Sequence, residues 1–291
     1  MPKKRSLAIL LVVLFLGQLL ASSSCQAPQS DIIRQIDHIV IISGRSEQLF
    51  SLLSDKFQFP VVWPMTNYGR FKSGGVALGN VNLEIISVPP PIDSTESAKF
   101  LGFALEPHLL ESALLELDVR GIAHSSPSPY ITADKAGEVV TLWITAGLPD
   151  LSNDAMMVFL CEYTHDTTAQ RQVSLDQLLS RDGGPLSVIS VQEIVFGTAD
   201  LEKTREQWQE LLNPLRPSFP DVWQIGSGPA IHIVQANEDG IQEIVIGVRS
   251  LTQARSYLEE HGLLGSVGNG KLTIESPVLQ GLNIRLVEMD S

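Results

Sequence analysis

The chain has 291 residues, 44% of them hydrophobic and 18% charged, so it can bury one large core or two ordinary ones and is not a disordered chain. Its 33 acidic residues outnumber 20 basic ones, a formal net charge of −13, which makes nucleic acid and anionic lipid poor partners. Two cysteines, Cys25 and Cys161, are too few for a disulfide framework, and Cys161 is expected as a buried small hydrophobe.

In chain order, Lys3, Lys4 and Arg5 precede an unbroken apolar run from Leu7 to Gly17 and the small residues Ala21-Ser22-Ser23-Ser24. Residues 1–24 read as a secretory signal peptide, which predicts an exported protein: periplasmic, secreted or membrane-anchored. The run is too short to span a bilayer comfortably, so no membrane span is expected. Ser24-Cys25 also reads as a lipoprotein processing site, with Cys25 as the lipid anchor, although Ser22 stands where such sites normally carry leucine. The leader holds three of the 20 basic residues, which leaves 17 against 33 acids, a net of −16 for the mature chain.

After a linker over 25–35, a short grammar repeats. At Ile36-Asp37-His38-Ile39-Val40-Ile41-Ile42 an apolar strand with polar residues near its start runs into small residues and an amphipathic helix, Ser46 to Leu53. Val61 to Trp63 continues the module. A loop, Thr66 to Ser73, leads to strands at Gly75 to Leu78 and Val81 to Val88, with Gly79-Asn80 as the turn between them. Pro89-Pro90-Pro91 closes it. The phrase returns faintly at Phe100 to Leu105, with a helix near His108 to Val119, a Ser/Pro-rich loop at Ser125 to Pro129, and strands at Val139 to Ile144 and Met156 to Tyr163. It returns clearly at Val191 to Phe196, with a helix at Leu201 to Leu212, and at Ile241 to Ile246, with a helix near Leu251 to His261. Late strands are expected at Ala230 to Val234, Lys271 to Ile274 and Leu282 to Val287. Self-similarity on this scale identifies an architecture before single residues do. Polar, Gly-rich composition over 167–187 marks a linker between a domain at 36–166 and a second at 188–291.

Four βαβββ units paired two by two resemble the vicinal oxygen chelate superfamily, which includes glyoxalase, extradiol dioxygenases, epimerases and resistance proteins. The resemblance covers nearly everything from Ile36 to Glu288. It is carried by Asp37-His38-Ile39-Val40-Ile41, by the stretch from Phe71 to Glu84, and by that from Phe159 to Asp166. It implies an α+β fold of two glyoxalase-like domains, each a curved sheet forming a cup, with metal ligands drawn from first and last strands. Strand alternation then puts His38, Val40 and Ile42 on one face, Asn82, Glu84 and Ile86 on another, and Val158, Leu160 and Glu162 on a third. His38, Glu84 and Glu162 are the implied ligands of a divalent ion (Mn, Fe, Ni or Zn), and Leu101 stands where a further ligand belongs. Glu162 and His165 are the candidate catalytic residues. Arg70 and Lys72 would attract an anionic substrate, and Trp63, Tyr68 and Phe71 would wall it. In the second domain Glu193, Glu243, His232 and Arg285 fall at corresponding positions and read as an ion-pair cluster, because a guanidinium repels a cation.

Two functions follow from the resemblance. One is lyase or isomerase chemistry on a small oxygenated substrate at a metal ion; the other is metal-free capture of a small molecule, as in resistance proteins. Ring cleavage is disfavoured, since neither pair of modules offers two histidines and a glutamate. The sequence holds no phosphate-binding glycine loop, no GxSxG elbow and no CxxC pair.

Overall fold

The computed structural model describes residues 29–89, 97–134 and 136–289. The stretch expected as a signal peptide and Cys25 lie outside the described residues, as do Pro90 and Pro91. Among the described residues no helix is long and apolar enough to cross a membrane.

β-Branched residues dominate β1 (Ile33–Ile42), and a helix α1 (Ser46–Ser51) with one wider turn to Lys56 follows it. Strands β2 (Val61–Asn67), β3 (Lys72–Ala77) and β4 (Asn82–Ser87) complete the first module. The second runs β5 (Lys99–Pro107), α2 (Leu110–Arg120), β6 (Ser128–Ala133), β7 (Val139–Gly147) and β8 (Met157–Tyr163). Their eight strands form one sheet in the order β2-β3-β4-β1-β5-β8-β7-β6. At its centre β1 runs antiparallel to β5, while β1 pairs parallel with β4 and β5 with β8. β6 begins inside the Ser/Pro-rich stretch expected as a loop, because an edge strand tolerates a proline.

The stretch expected as a linker contains a helix, α3 (Thr167–Leu179), capped by the Asp166 carboxylate on Thr168 N and packed against β2 and β3. Beyond it come β9 (Val188–Thr198), α4 (Leu201–Leu212), β10 (Val222–Gln224) and β11 (Ala230–Gln235). The last module is β12 (Gly240–Val248), α5 (Leu251–Glu260), β13 (Leu264–Gly268), β14 (Lys271–Ile274) and β15 (Ile284–Glu288). The second sheet, β10-β11-β9-β12-β15-β14-β13, has seven strands: the third module carries two late strands among the described residues where three were expected.

Alternation assigns the layers. Ile39, Ile41, Leu83 and Ile85 are fully buried on the helix side, each worth about 1.5–3 kcal/mol of transfer free energy. Asn80 ties the domains together, its side chain exchanging 2.9 Å hydrogen bonds with Val191 N and O, and Trp208 of α4 packs on Phe103 of β5. β5 and β8 approach so closely that a Cβ on Gly102, at φ +141, would stand 1.7 Å from Met157 O.

Candidate functional site

The concave face of the first sheet encloses a cavity of about 1010 Å³. His38 and Val40 of β1 and Asn82, Glu84 and Ile86 of β4 line it, as their alternation implies, and Leu101 of β5 faces it too. Trp63, Tyr68, Arg70 and Phe71 lie along its wall and rim, and His165 lines it from an exposed position beside Tyr163.

Two expected site residues lie elsewhere. Glu162 turns to the opposite face of β8, where its Oε1 accepts the N–H of Leu110 at 2.8 Å. Leu110 opens α2, whose N-cap Leu109 offers no side-chain acceptor, so Glu162 supplies the missing cap and meets the positive end of the helix. From β8 the cavity is lined instead by Phe159, Cys161 and Tyr163, with Met157 and Val158 at the start of the strand. Both faces of that strand are rich in apolar residues, so period two alone does not say which is concave. Lys72 pairs with Glu47 at 3.1 Å on the outer surface and does not line the cavity.

What gathers around His38 is a buried polar array. Ile36 pairs with Leu105 and His38 with Ala104, so Asp37 is the extra residue of a β-bulge, and both Asp37 and His38 line the cavity. His38 Nδ1 donates to Asp37 Oδ2 at 2.5 Å, and His38 Nε2 lies 3.1 Å from Glu84 Oε2. Glu84 Oε1 accepts from Ser73 Oγ at 2.5 Å, and Ser73 in turn accepts from Trp63 Nε1 at 2.9 Å. Asp37 also accepts from Tyr163 Oη at 2.9 Å and from Arg171 of α3. Arg171 Nη2 reaches on to Glu106 at 2.7 Å, and Glu106 is held further by Arg34, Gln35 and Thr167. Glu106, Tyr163 and Arg171 were not among the expected site residues. An acidic residue beside a histidine inside an apolar strand was the legible signal for Asp37; nothing local pointed to Arg171.

Burial alone would neutralise these groups, and their neighbours prevent it. Against that desolvation, the hydrogen bond and charge of His38, with Arg171 and Tyr163, hold Asp37 down at about 2. Burial opposes the imidazolium as well, but Asp37 and Glu84 on either side push His38 up to about 10. Burial raises Glu84, and hydrogen bonds from His38 and Ser73 outweigh it, so its carboxyl sits below the usual range. Burial and the Asp37 charge push the Tyr163 phenol and the Cys161 thiol well up, so both stay protonated.

His38 Nε2 and Glu84 Oε2 are near enough to share one ion with bonds of about 2 Å. They are two ligands rather than three. Glu162 faces away, Leu101 is apolar, and among the described residues no cluster of three or more histidine, cysteine or carboxylate side chains has the geometry to hold a metal. The residues present do not fit the expected three-ligand centre. In the second domain His232 pairs with Glu193, and Arg285 with Glu243 at 2.9 Å, an ion-pair cluster as expected.

No protein-family model and no curated protein matches this sequence. Solved structures match its fold. A hypothetical protein from Staphylococcus aureus superposes with a TM-score of 0.60 at 10% identity over 88% of this chain and 99% of its own. Homoprotocatechuate 2,3-dioxygenase from Arthrobacter globiformis gives 0.58 at 12% identity, over 91% and 82%. The Brevibacterium fuscum enzyme of the same name, in complex with 3,4-dihydroxyphenylacetate, gives 0.57 at 11% over 91% and 83%. The fold is the two-domain vicinal oxygen chelate fold that the repeated modules resemble.

Proposed function

We propose that this glyoxalase-like protein takes a small oxygenated molecule into its amino-terminal cup and moves a proton on it, chemistry of the lyase or isomerase type, with Glu84 and His38 as the working pair. The observation that carries the reading is a hydrogen-bonded Asp37–His38–Glu84 array at the floor of a cavity otherwise walled largely by apolar and aromatic side chains. Glu84 Oε2 is the atom that would receive a substrate proton. His38, anchored by Asp37, keeps that carboxylate ionised where burial alone would protonate it. Tyr163 and Arg171 hold Asp37 in place. His38 and Glu84 alone make an incomplete donor set for a metal ion, and the proton transfer proposed falls to these side chains. Export is proposed on the leader at Lys3 to Ser24.

The test is deuterium wash-in from heavy water, followed by NMR, over a panel of small carbonyl compounds bearing an acidic α C–H. A positioned base contributes about 100- to 10,000-fold, and Glu84→Gln is expected to lose that factor. Equal exchange in the wild type and Glu84→Gln would sink the proposal. Metal analysis of the purified protein is expected to give substoichiometric Mn, Fe, Ni and Zn. A stoichiometric ion lost in His38→Ala would restore a metal centre.

A further inference from the structure

The cavity has two unlike sides. Its strand side presents Val40, Ile86, Leu101 and Phe159, and aromatic rings gather at the rim. There Tyr130 stacks on Trp143 at 4.3 Å, and Tyr68 stands edge-on to both at 5.5 and 5.6 Å. The opposite side is α3. Thr167, Gln170, Arg171 and Ser174, spaced i, i+3, i+4 and i+7, all line the cavity. A helix covering an apolar cup ordinarily turns its apolar stripe inward; α3 turns a polar one.

Part of that stripe is committed to protein partners, with Thr167 on Glu106 and Arg171 Nη2 on Asp37 and Glu106. Part of it is not. Arg171 Nε is buried with no hydrogen-bond partner, and Gln170 Nε2 makes only a long 3.4 Å contact with Val62 O. A buried donor left unmet is destabilising, and an acceptor in the cavity would relieve it. The charged side chains at the floor are already paired with one another, His38 with Asp37 and Glu84, and Arg171 with Asp37. A charged ligand would surrender its hydration there and find the opposite charges already engaged, whereas an uncharged head group loses much less. Were His38 neutral, the floor would be net negative and would repel an anion more strongly. Arg70 is exposed at the mouth, where solvent screens it.

We infer that the cup selects an uncharged amphiphile, with a flat apolar body against the strands and rim aromatics and a hydrogen-bond-accepting head toward Gln170 and Arg171 of α3. This deepens the reading of the cup as a binding site and rests on it. Two fluorescent probes of similar ring size separate the classes: prodan, a neutral naphthyl ketone, and anilinonaphthalene sulfonate, an anion. Prodan is expected to bind the full chain with a Kd at least tenfold lower than the sulfonate. Gln170→Leu, at an exposed helix position that leaves the core untouched, is expected to weaken prodan at least threefold. Glu84→Gln should narrow the gap by admitting the anion, and Leu101→Trp, which puts a bulky ring on the apolar strand side of the cup, should weaken binding of both at least threefold. A sulfonate that binds as tightly as prodan, or prodan binding indifferent to Gln170→Leu, overturns the ligand class and leaves the cup as a binding site. Failure of both probes, or binding unaffected by Leu101→Trp, removes the binding site itself and the inference with it.

Discussion

Replacing Arg171 with methionine tests how α3 supports the floor of the cup. The guanidinium bridges two carboxylates whose side chains are 2% and 8% exposed, Asp37 and Glu106, while Arg171 itself is 21% exposed. Removing one member of a buried ion pair typically costs about 3–5 kcal/mol, because a desolvated charge is stranded. Here the carboxylates keep other partners, His38 and Tyr163 on Asp37, and Arg34, Gln35 and Thr167 on Glu106. The expected loss therefore falls at or below the bottom of that range, about 2–3 kcal/mol. At roughly 2–4 °C per kcal/mol for a domain of this size, Tm should drop by about 5–10 °C. The assay is urea and thermal unfolding of Arg171→Met, Asp37→Asn and the double variant. Residues in one hydrogen-bond network couple by about 0.5–3 kcal/mol, so the double variant should be less destabilised than the sum of the singles. An Arg171→Met variant within about 0.5 kcal/mol of wild type, or strict additivity with Asp37→Asn, would refute the idea that α3 anchors the floor.

The array also dictates a pH profile. His38 is raised from 6.5 to about 10, so the stability it contributes is complete below 6.5 and is lost as pH rises through 10. Asp37 is lowered from 3.8 to about 2, so its contribution is complete above 3.8 and is lost as pH falls through 2. Urea midpoints should accordingly plateau between those limits and fall on the alkaline side, with His38→Asn flattening the alkaline limb. A midpoint that climbs between pH 7 and pH 10 contradicts the assignment. Glu162→Ala, which strips the cap from α2, should cost about 1 kcal/mol and leave prodan binding in the cup unchanged; a loss of binding would return Glu162 to the site.

The order of residues along the chain was enough to reveal the repeated module and the concave face of the first module. In β1 and β4 a few polar residues alternate with large aliphatic ones, so His38 and Glu84 identify their face and Ile39, Ile41, Leu83 and Ile85 identify the helix side. The cluster of His232, Glu193, Arg285 and Glu243 was legible for the same reason. The remaining features depend on long-range packing. Apolar residues on both faces of β8 leave its orientation to pairing with β5 and β7, and that pairing sends Glu162 to the start of α2 and Cys161 into the cavity. The bulge that turns Asp37 toward the cavity depends on the register of β1 against β5. Arg171 lies 134 residues from Asp37 in the chain and meets it because α3, a polar stretch with no strong apolar stripe, crosses the cup after β8. Alternation is a local property of one strand, whereas register and long-range ion pairs are settled by which strands and helices pack together.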